Sequence, residues 1–526
     1  MDNTNIYLTQ SDCEKYDLLL DIASLKRDEL PVKKRIELSR NNNPLVDDVN
    51  LKQVATLLNR NYGSLYNMYM SIVDDLKKIV GQDTEETQLL FSVPSDVYHF
   101  SLVSKSDVYD FVKILLTGEE MGFQTFWEDH NSSKATVLRH LKSLRDFIRS
   151  FDVRIFYDPI RLEGDESTIR LILIMLFWMA TDGHSWPFEA IDRDDALEAF
   201  DVTVERFQLA QPNILTREIG GYAMAVIYHR VMQKKFIKDT SAQDIIRYPV
   251  PNMTHEFMVR PFTREAIRMR SILAQMTDQE AMLESLNMYY TFNFSPIFLH
   301  SNNRYALADG EQHTRYVPEI NQFVSDFVDR IPLNVHYFLK LDDAEVDILK
   351  RTLIAMTAST YIYKKDVTSR VNRFLLDANL NLKEDQLLKR DVEDTVDHLF
   401  MNSDVDFLKD MHDEIVNGYY NVFIQLIQQR APLHRVNVVL VAEQSYMGYL
   451  DLLTDLKGIR YVNISMQDAD LKDADMIITT SSIELPDDVN PQAVMFKWRR
   501  NADSDHYGRM YGILRELWLQ KSTECD

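Results

Sequence analysis

Apolar residues in this chain recur mostly at helical spacing, and the pattern turns strand-like in only two places. In 133–149, Ser133 is a good N-cap, and Val137, Leu141, Leu144 and Ile148 then fall on one helical stripe that can dock on a core. Lys134, Thr136, Arg139, His140, Lys142, Arg145 and Arg149 lie off that stripe, with Asp146 the one acidic residue among them. A cationic helix face is what phosphate and base-edge contacts require. After it, VRIFY (153–157) alternates like a strand, Asp158-Pro159 turns the chain, and IRL (160–162) returns before Gly164. Upstream, SDVYDFVKILL (106–116) and GFQTFWEDHN (122–131) supply a first helix and a short positioning helix with its turn. The order is that of a winged helix-turn-helix.

An earlier stretch repeats the plan with different chemistry. Asn50 caps LKQVATLL (51–58), a turn follows at 59–63, and 64–80 places Leu65, Met68, Ile72, Leu76 and Ile79 on one face. Its exposed side offers Tyr66, Asn67, Tyr69 and Ser71, with basic residues confined to Arg60, Lys77 and Lys78. Asn67 is suited to an adenine edge, although a structural or dimer-contacting role fits the face equally.

Beyond residue 170 the pattern is helical and poor in glycine. Helices are expected within 169–183, 193–210, 219–237 and 263–290, and a second set within 319–331, 342–365 and 391–429. The stretch 292–312 reads as their junction, and the acidic pairs Asp342-Asp343 and Asp487-Asp488 suit helix starts or turns. The strand-like pattern returns in the last hundred residues. RVNVVLVAE (435–443), IRYVNI (459–464), DMIITTS (475–481) and AVMFKW (493–498) alternate with helices at 445–456 and 506–520, which indicates a small parallel α/β domain. The fold class is therefore multidomain and mainly α: two N-terminal helix-turn-helix units, the second winged, two all-α bundles, and a C-terminal parallel-sheet domain. The boundaries are placed at 1–98, 99–170, 171–295, 296–430 and 431–526.

Composition qualifies this picture. The 58 lysines and arginines against 81 acidic residues leave a formal charge of −23, so DNA binding must depend on a local basic surface and fall steeply with salt. Two cysteines, Cys13 and Cys525, can build neither a disulfide framework nor a cysteine metal site, which suits a reducing cytoplasm. The opening residues do not read as a signal peptide, and the longest apolar run, LILIMLFWMA (171–180), is ten residues. Spanning a bilayer takes about 20, so that run is expected as a buried helix and no membrane partner is expected. The sequons at Asn131, Asn252 and Asn463 are then chance matches. No phosphate-binding glycine loop, Gly-x-Ser-x-Gly elbow or His-Glu-x-x-His helix occurs, so neither an enzyme nor a cofactor is expected.

The segment SSKATVLRHLKSLRDFI, the junction RLEGDESTIRLILIMLFW, the paired helical blocks and the terminal α/β unit together resemble the Mga-type transcription regulators. The resemblance implies two phosphotransferase-system regulation domains in the helical blocks and an enzyme IIB-like C-terminal domain. It also implies phosphorylation of block histidines by phosphotransferase-system phosphocarriers, and self-association. The candidate histidines are His184 and His229 in the first block and His336 and His398 in the second, each of which has a plain structural alternative. His229 has Arg230, Lys234 and Lys235 nearby. In enzyme IIB a cysteine follows the first strand, whereas here Ala442, Glu443, Gln444 and Ser445 occupy that turn. Without a thiol the domain is expected to be an interface, with Tyr446, Met447 and Tyr449 as contact or core. Two functions stay open: a transcription regulator, expected to be an activator, that binds double-stranded promoter DNA and responds to carbohydrate status, or a phosphotransferase-linked sensor that does not bind DNA.

Overall fold

The computed structural model describes residues 6–40, 46, 48–209, 211–259, 266–294, 314–333, 341–367, 369–370, 385–430, 434–442, 450–480, 486, 489–499 and 502–523. The chain opens with a long helix, α1 (Gln10–Glu29), capped by the Thr9 side chain, and continues in α2 (Val32–Arg40). Neither was expected, because α1 is rich in charge and shows little amphipathic contrast. Its Leu18, Leu19 and Ile22 are nonetheless buried in one cluster with Val54, Leu65, Ile72, Val73 and Leu76. Val54 belongs to α3 (Leu51–Leu57), which Asn50 caps through Gln53 N, and the others to α4 (Tyr62–Val80), which ends at Gly81 with φ of 72°. Short α5 (Thr87–Leu90) and α6 (Ser95–Val103) close this unit, adding Leu90, Tyr98 and Leu102 to its core.

The winged unit follows directly. Ser106 caps α7 (Asp107–Thr117), Gly118 ends it with φ of 68°, and α8 (Phe123–Asp129) follows. The expected single helix over 133–149 is interrupted: α9 (Lys134–His140) and α10 (Lys142–Arg149) meet at Leu141, whose ψ of 0° deflects the backbone. Leu141 N donates to Val137 O and Leu141 O accepts from Arg145 N, so Leu141 ends one piece and starts the next of a two-part rod. Strands β1 (Arg154–Tyr157) and β2 (Ile160–Glu163) pair antiparallel, with Tyr157 opposite Ile160. Ile160 N donates to Met121 O and ties this wing to the start of α8.

From the wing the chain enters α11 (Glu166–Thr181), capped by Asp165. Its residues from Ser167 to Phe177 are all buried, as the apolar run within it predicts. Helices α12 (Arg193–Phe207), α13 (Ile214–Met232), α14 (Met253–Val259), α15 (Ala266–Leu273) and α16 (Asp278–Phe294) complete the first helical block. A Cβ at Gly220 of α13 would lie 2.6 Å from the Phe200 ring of α12, so the two helices approach through that glycine. The buried Glu284 and the half-buried Glu166 then fasten the block. Arg170 donates to both Glu284 oxygens at 2.6 and 2.9 Å, and Arg230 donates to both Glu166 oxygens at 2.8 and 2.7 Å.

The second block contains α17 (Pro318–Arg330), α18 (Asp343–Tyr363), α19 (Gln386–Asn402) and α20 (His412–Arg430). Asp342 and Glu345 form a capping box at the start of α18. Both blocks use the same internal fastening. The Thr181 hydroxyl of α11 bonds the Phe177 carbonyl and meets the Tyr222 hydroxyl of α13 at 2.7 Å. The Thr357 hydroxyl of α18 bonds the Leu353 carbonyl and meets the Tyr419 hydroxyl of α20 at 2.6 Å. Each tyrosine follows a glycine, Gly221 or Gly418, that faces side chains of a neighbouring helix. This correspondence between the blocks was not legible as a sequence repeat, because four side chains carry it.

Past α20, β3 (Val436–Val441), β4 (Val462–Ser465), β5 (Met476–Thr479) and β6 (Val494–Lys497) form a wholly parallel sheet in the order β4-β3-β5-β6. Helices α21 (Leu450–Gly458) and α22 (Ser504–Thr523) bury Leu452, Leu453, Leu456, Leu514 and Trp518 on one sheet face, while Leu471 and Ala474 pack on the other with Val439 and Ile477. Covering both faces is what a parallel sheet requires. Asp487-Asp488, and most of the expected 292–312 junction, lie outside the described residues.

Candidate nucleic-acid interface

The reading rod is positioned by its apolar stripe. Val137, Leu141, Leu144 and Ile148 are buried as the spacing predicts, and Phe147 joins them. They share one core cluster with Phe111 of α7 and Phe126 of α8. Ser133 Oγ accepts from Thr136 N and fixes the start of the rod, leaving the half-buried Thr136 hydroxyl 2.9 Å from Ser133 Oγ. Lys134, Arg139, Lys142 and Arg149 are exposed on the opposite side. Arg145 is half-buried, with Nε 3.9 Å from the Asp146 carboxylate, so it is partly neutralised where it stands. His140 leaves the cationic face: its Nδ1 lies 2.8 Å from the Asp107 carboxylate at the start of α7. His130, at the end of α8, makes a similar contact with Asp110 at 3.2 Å.

The wing adds cations that sequence reasoning did not single out. Arg154 is exposed on β1, and the Arg161 guanidinium sits 4.6 Å above the exposed Phe156 ring. The alternation in VRIFY and IRL was the available signal, since it places arginine on the side of the hairpin away from the core. Wing and rod together present Lys134, Arg139, Lys142, Arg149, Arg154 and Arg161 against the nearby carboxylates of Asp146, Asp158 and Glu163. That surface can hold a phosphate backbone and reach base edges.

The first unit offers a different surface. Tyr66 and Asn67 are exposed on α4, and the Tyr66 ring lies 6.2 Å from that of Tyr62. Its cations are largely spent locally, since Lys77 pairs with Asp83 and Glu85, and Lys78 lies 3.8 Å from Asp75. Arg60, between α3 and α4, and Lys52 on α3 are exposed.

The candidate histidines are dispersed. His184 is exposed just past α11, with its ring 5.6 Å from Phe100 of α6, at the seam between the first unit and the first block. His229 is half-buried in α13 with its ring 6.1 Å from Phe188. Of the cations beside it, Arg230 is committed to Glu166 and is 5% exposed, while Lys234 Nζ reaches Gln275 at 3.3 Å. Lys235 is exposed. His398 is exposed on α19, and its carbonyl accepts from Asn402. His336 lies outside the described residues, as do Glu443, Gln444, Ser445, Tyr446, Met447 and Tyr449 of the turn after β3. His412, not singled out from the sequence, stands between Asp397 at 2.8 Å and Asp413 at 2.9 Å. Among the described residues no group of three or more histidines, cysteines or carboxylates could hold a metal ion. No described helix is long and apolar enough to cross a membrane.

Comparison with known proteins locates the similarity on the same stretch. Residues 95–177 match the Mga helix-turn-helix domain, spanning α6 to most of α11 and including rod and wing. The chain is also 22% identical over 134 residues to the capsule synthesis positive regulator AcpB of Bacillus anthracis. That match covers 26% of this chain and 28% of the relative, so the chain spans under a third of that protein's length. The match coincides with rod and wing, so the stretch 95–177 is an Mga-type helix-turn-helix domain.

Proposed function

We propose that this protein is a DNA-binding transcription regulator that acts through α9, α10 and the β1–β2 wing and turns over no substrate. The observation that carries the reading is the row of exposed cations on a rod held by a helix-turn-helix core, on a chain whose formal charge is −23. An acidic protein repels a polyanion overall, so a concentrated basic face on a recognition fold has a specific purpose. Similarity to a positive regulator supports activation as the direction of the effect.

The finer reading concerns control. The shared Thr and Gly-Tyr fastening supports two helical blocks of one kind, in keeping with a pair of phosphotransferase-system regulation domains. Phosphocarriers would then modify His184, His229, His336 or His398. Of the three described ones, His184 is the most favourably placed, since charge added there acts on the seam with α6. The four-stranded parallel sheet supports an enzyme IIB-like terminal domain used for self-association rather than phosphate carriage. The protein is read as cytoplasmic.

The test is binding of the full chain to promoter-length duplexes, comparing wild type with Arg139→Ala/Lys142→Ala. Both residues are exposed, so the variant should keep its fold and lose about 1–3 kcal/mol per base-contacting side chain. Unchanged affinity in the double variant would remove the rod from the interface and leave the protein a sensor that does not read DNA.

A further inference from the structure

The C-terminal end of the reading rod is gripped by the second helical block. Arg370, 220 positions further along the chain, donates from Nε to the Ser150 carbonyl at 3.1 Å. Ser150 is the C-cap of α10, and such carbonyls lack intrahelical partners and sit at the negative end of the helix dipole. The Arg370 guanidinium also lies 5.8 Å over the buried Phe151 ring. Lys365 Nζ is 2.8 Å from the carboxylate of Asp152, whose φ of 59° turns the chain from the rod toward the wing.

Both cations converge on one carboxylate. Glu414, in the first turn of α20, accepts from Arg370 Nη1 at 2.7 Å and Nη2 at 2.9 Å, and Lys365 Nζ lies 3.7 Å away. The Asp366 N–H donates to it at 2.9 Å. Asp366 is itself 3% exposed, and its carboxylate accepts from the backbone and hydroxyl of Ser369, which in turn accepts from Asn421 of α20. A Cβ at Gly418 would sit 3.4 Å from the Asp366 carboxylate, so the residues just past α18 are seated closely on α20. Arginine suits the junction because its planar fork serves the paired carboxylate oxygens while Nε remains free for the Ser150 carbonyl.

We infer that Lys365, Arg370 and Glu414 form a coupling clamp through which the packing of α18 against α20 sets the position of residues 150–152, the joint between reading rod and wing. This gives the second block a direct mechanical link to the DNA-reading face, without an intermediary in the first block. Its regulatory meaning rests on the DNA-binding reading, whereas the clamp itself is a property of the contacts. A shift of one helical turn or less at α20 would break the bidentate pair, because such hydrogen bonds tolerate little misalignment.

The experiment is hydrogen exchange on the full chain, read in peptides covering 147–163, with duplex affinity measured in parallel. Arg370→Ala cuts the clamp from the block side. Asp152→Asn cuts it from the rod side at an exposed carboxylate, which keeps the second block intact and suits the left-handed backbone there. In Arg370→Ala, exchange in 147–163 should rise about tenfold while α18 stays protected, and duplex affinity should fall about fivefold. Asp152→Asn should move both readouts the same way and by less. Unchanged exchange in 147–163 in both variants overturns the clamp. So does a rise matched across α18 and α20, which would mean that the block had merely loosened. If wild type fails to bind any duplex, the DNA-binding reading falls, and the exchange comparison still decides the clamp.

Discussion

Arg170 and Glu284 are 2% and 3% exposed, and their two hydrogen bonds join residues 114 positions apart. Glu284 also accepts from the Ile237 N–H at 2.9 Å, and Arg170 donates to the Lys235 carbonyl, so both charges are fully engaged. Removing one partner of such a pair costs up to about 3–5 kcal/mol, the full loss applying where the other charge is left uncompensated, and Arg170 keeps the Glu166 carboxylate at 3.3 Å. Glu284→Ala should therefore lower the stability of the first block by up to that amount in urea unfolding followed by tryptophan fluorescence, which reports there through Trp178 and Trp186. A loss under about 1 kcal/mol would mean that the pair contributes no more than a surface contact. None of this was legible beforehand. Arg170 directly precedes the apolar run 171–180 and nothing local marks it as buried, because its partner is set by tertiary folding. The exposed cations of α9 and α10 were legible for the opposite reason: exposure and helical spacing are local properties.

At the scale of elements, caps and stripes were the reliable signals. Asn50 and Ser133 each accept the backbone N–H expected of an N-cap, and the wing follows its alternation. Helix α1 escaped notice because its few buried leucines are outnumbered by charged neighbours, and the Leu141 deflection left no trace in a regular apolar spacing. His412 joins two elements in a way that pH can report. Burial alone would push its pKa down, but hydrogen bonds to Asp413 and Asp397 outweigh that and raise it above the ordinary 6.5. A raised folded-state value stabilises the fold below the unfolded pKa, and that contribution is lost as pH rises through the folded one. The stability difference between wild type and His412→Asn should thus be full at mildly acidic pH and shrink as the solution becomes alkaline. A difference that grows with pH would contradict the assigned pairs of His412 with Asp397 of α19 and Asp413 of α20.

For the whole molecule, the governing fact is a basic face on an acidic body. The winged unit and the two helical blocks share the main core cluster, which Ile6 and Tyr7 also join, whereas Leu18 to Leu102 of the N-terminal helices form a cluster of their own. Contacts also reach from the terminal domain back to the start of the chain, where Asp505 meets Arg35 of α2 at 3.0 Å. Such packing gives the blocks the means to act on the rod, and the clamp at Glu414 is the most direct of those routes. The central claim is that α9, α10 and the wing hold DNA, and the salt dependence of duplex affinity tests it most directly. Wild type should show a steep fall of log K with log salt, and Lys134→Ala, Arg139→Ala, Lys142→Ala and Arg149→Ala should each flatten the slope by about 1 where the side chain meets a phosphate. Lys409→Ala, in the 406–411 turn between α19 and α20 where Lys409 pairs with Asp406, should leave it unchanged. Four rod variants with the same slope as the Lys409 variant would contradict the account.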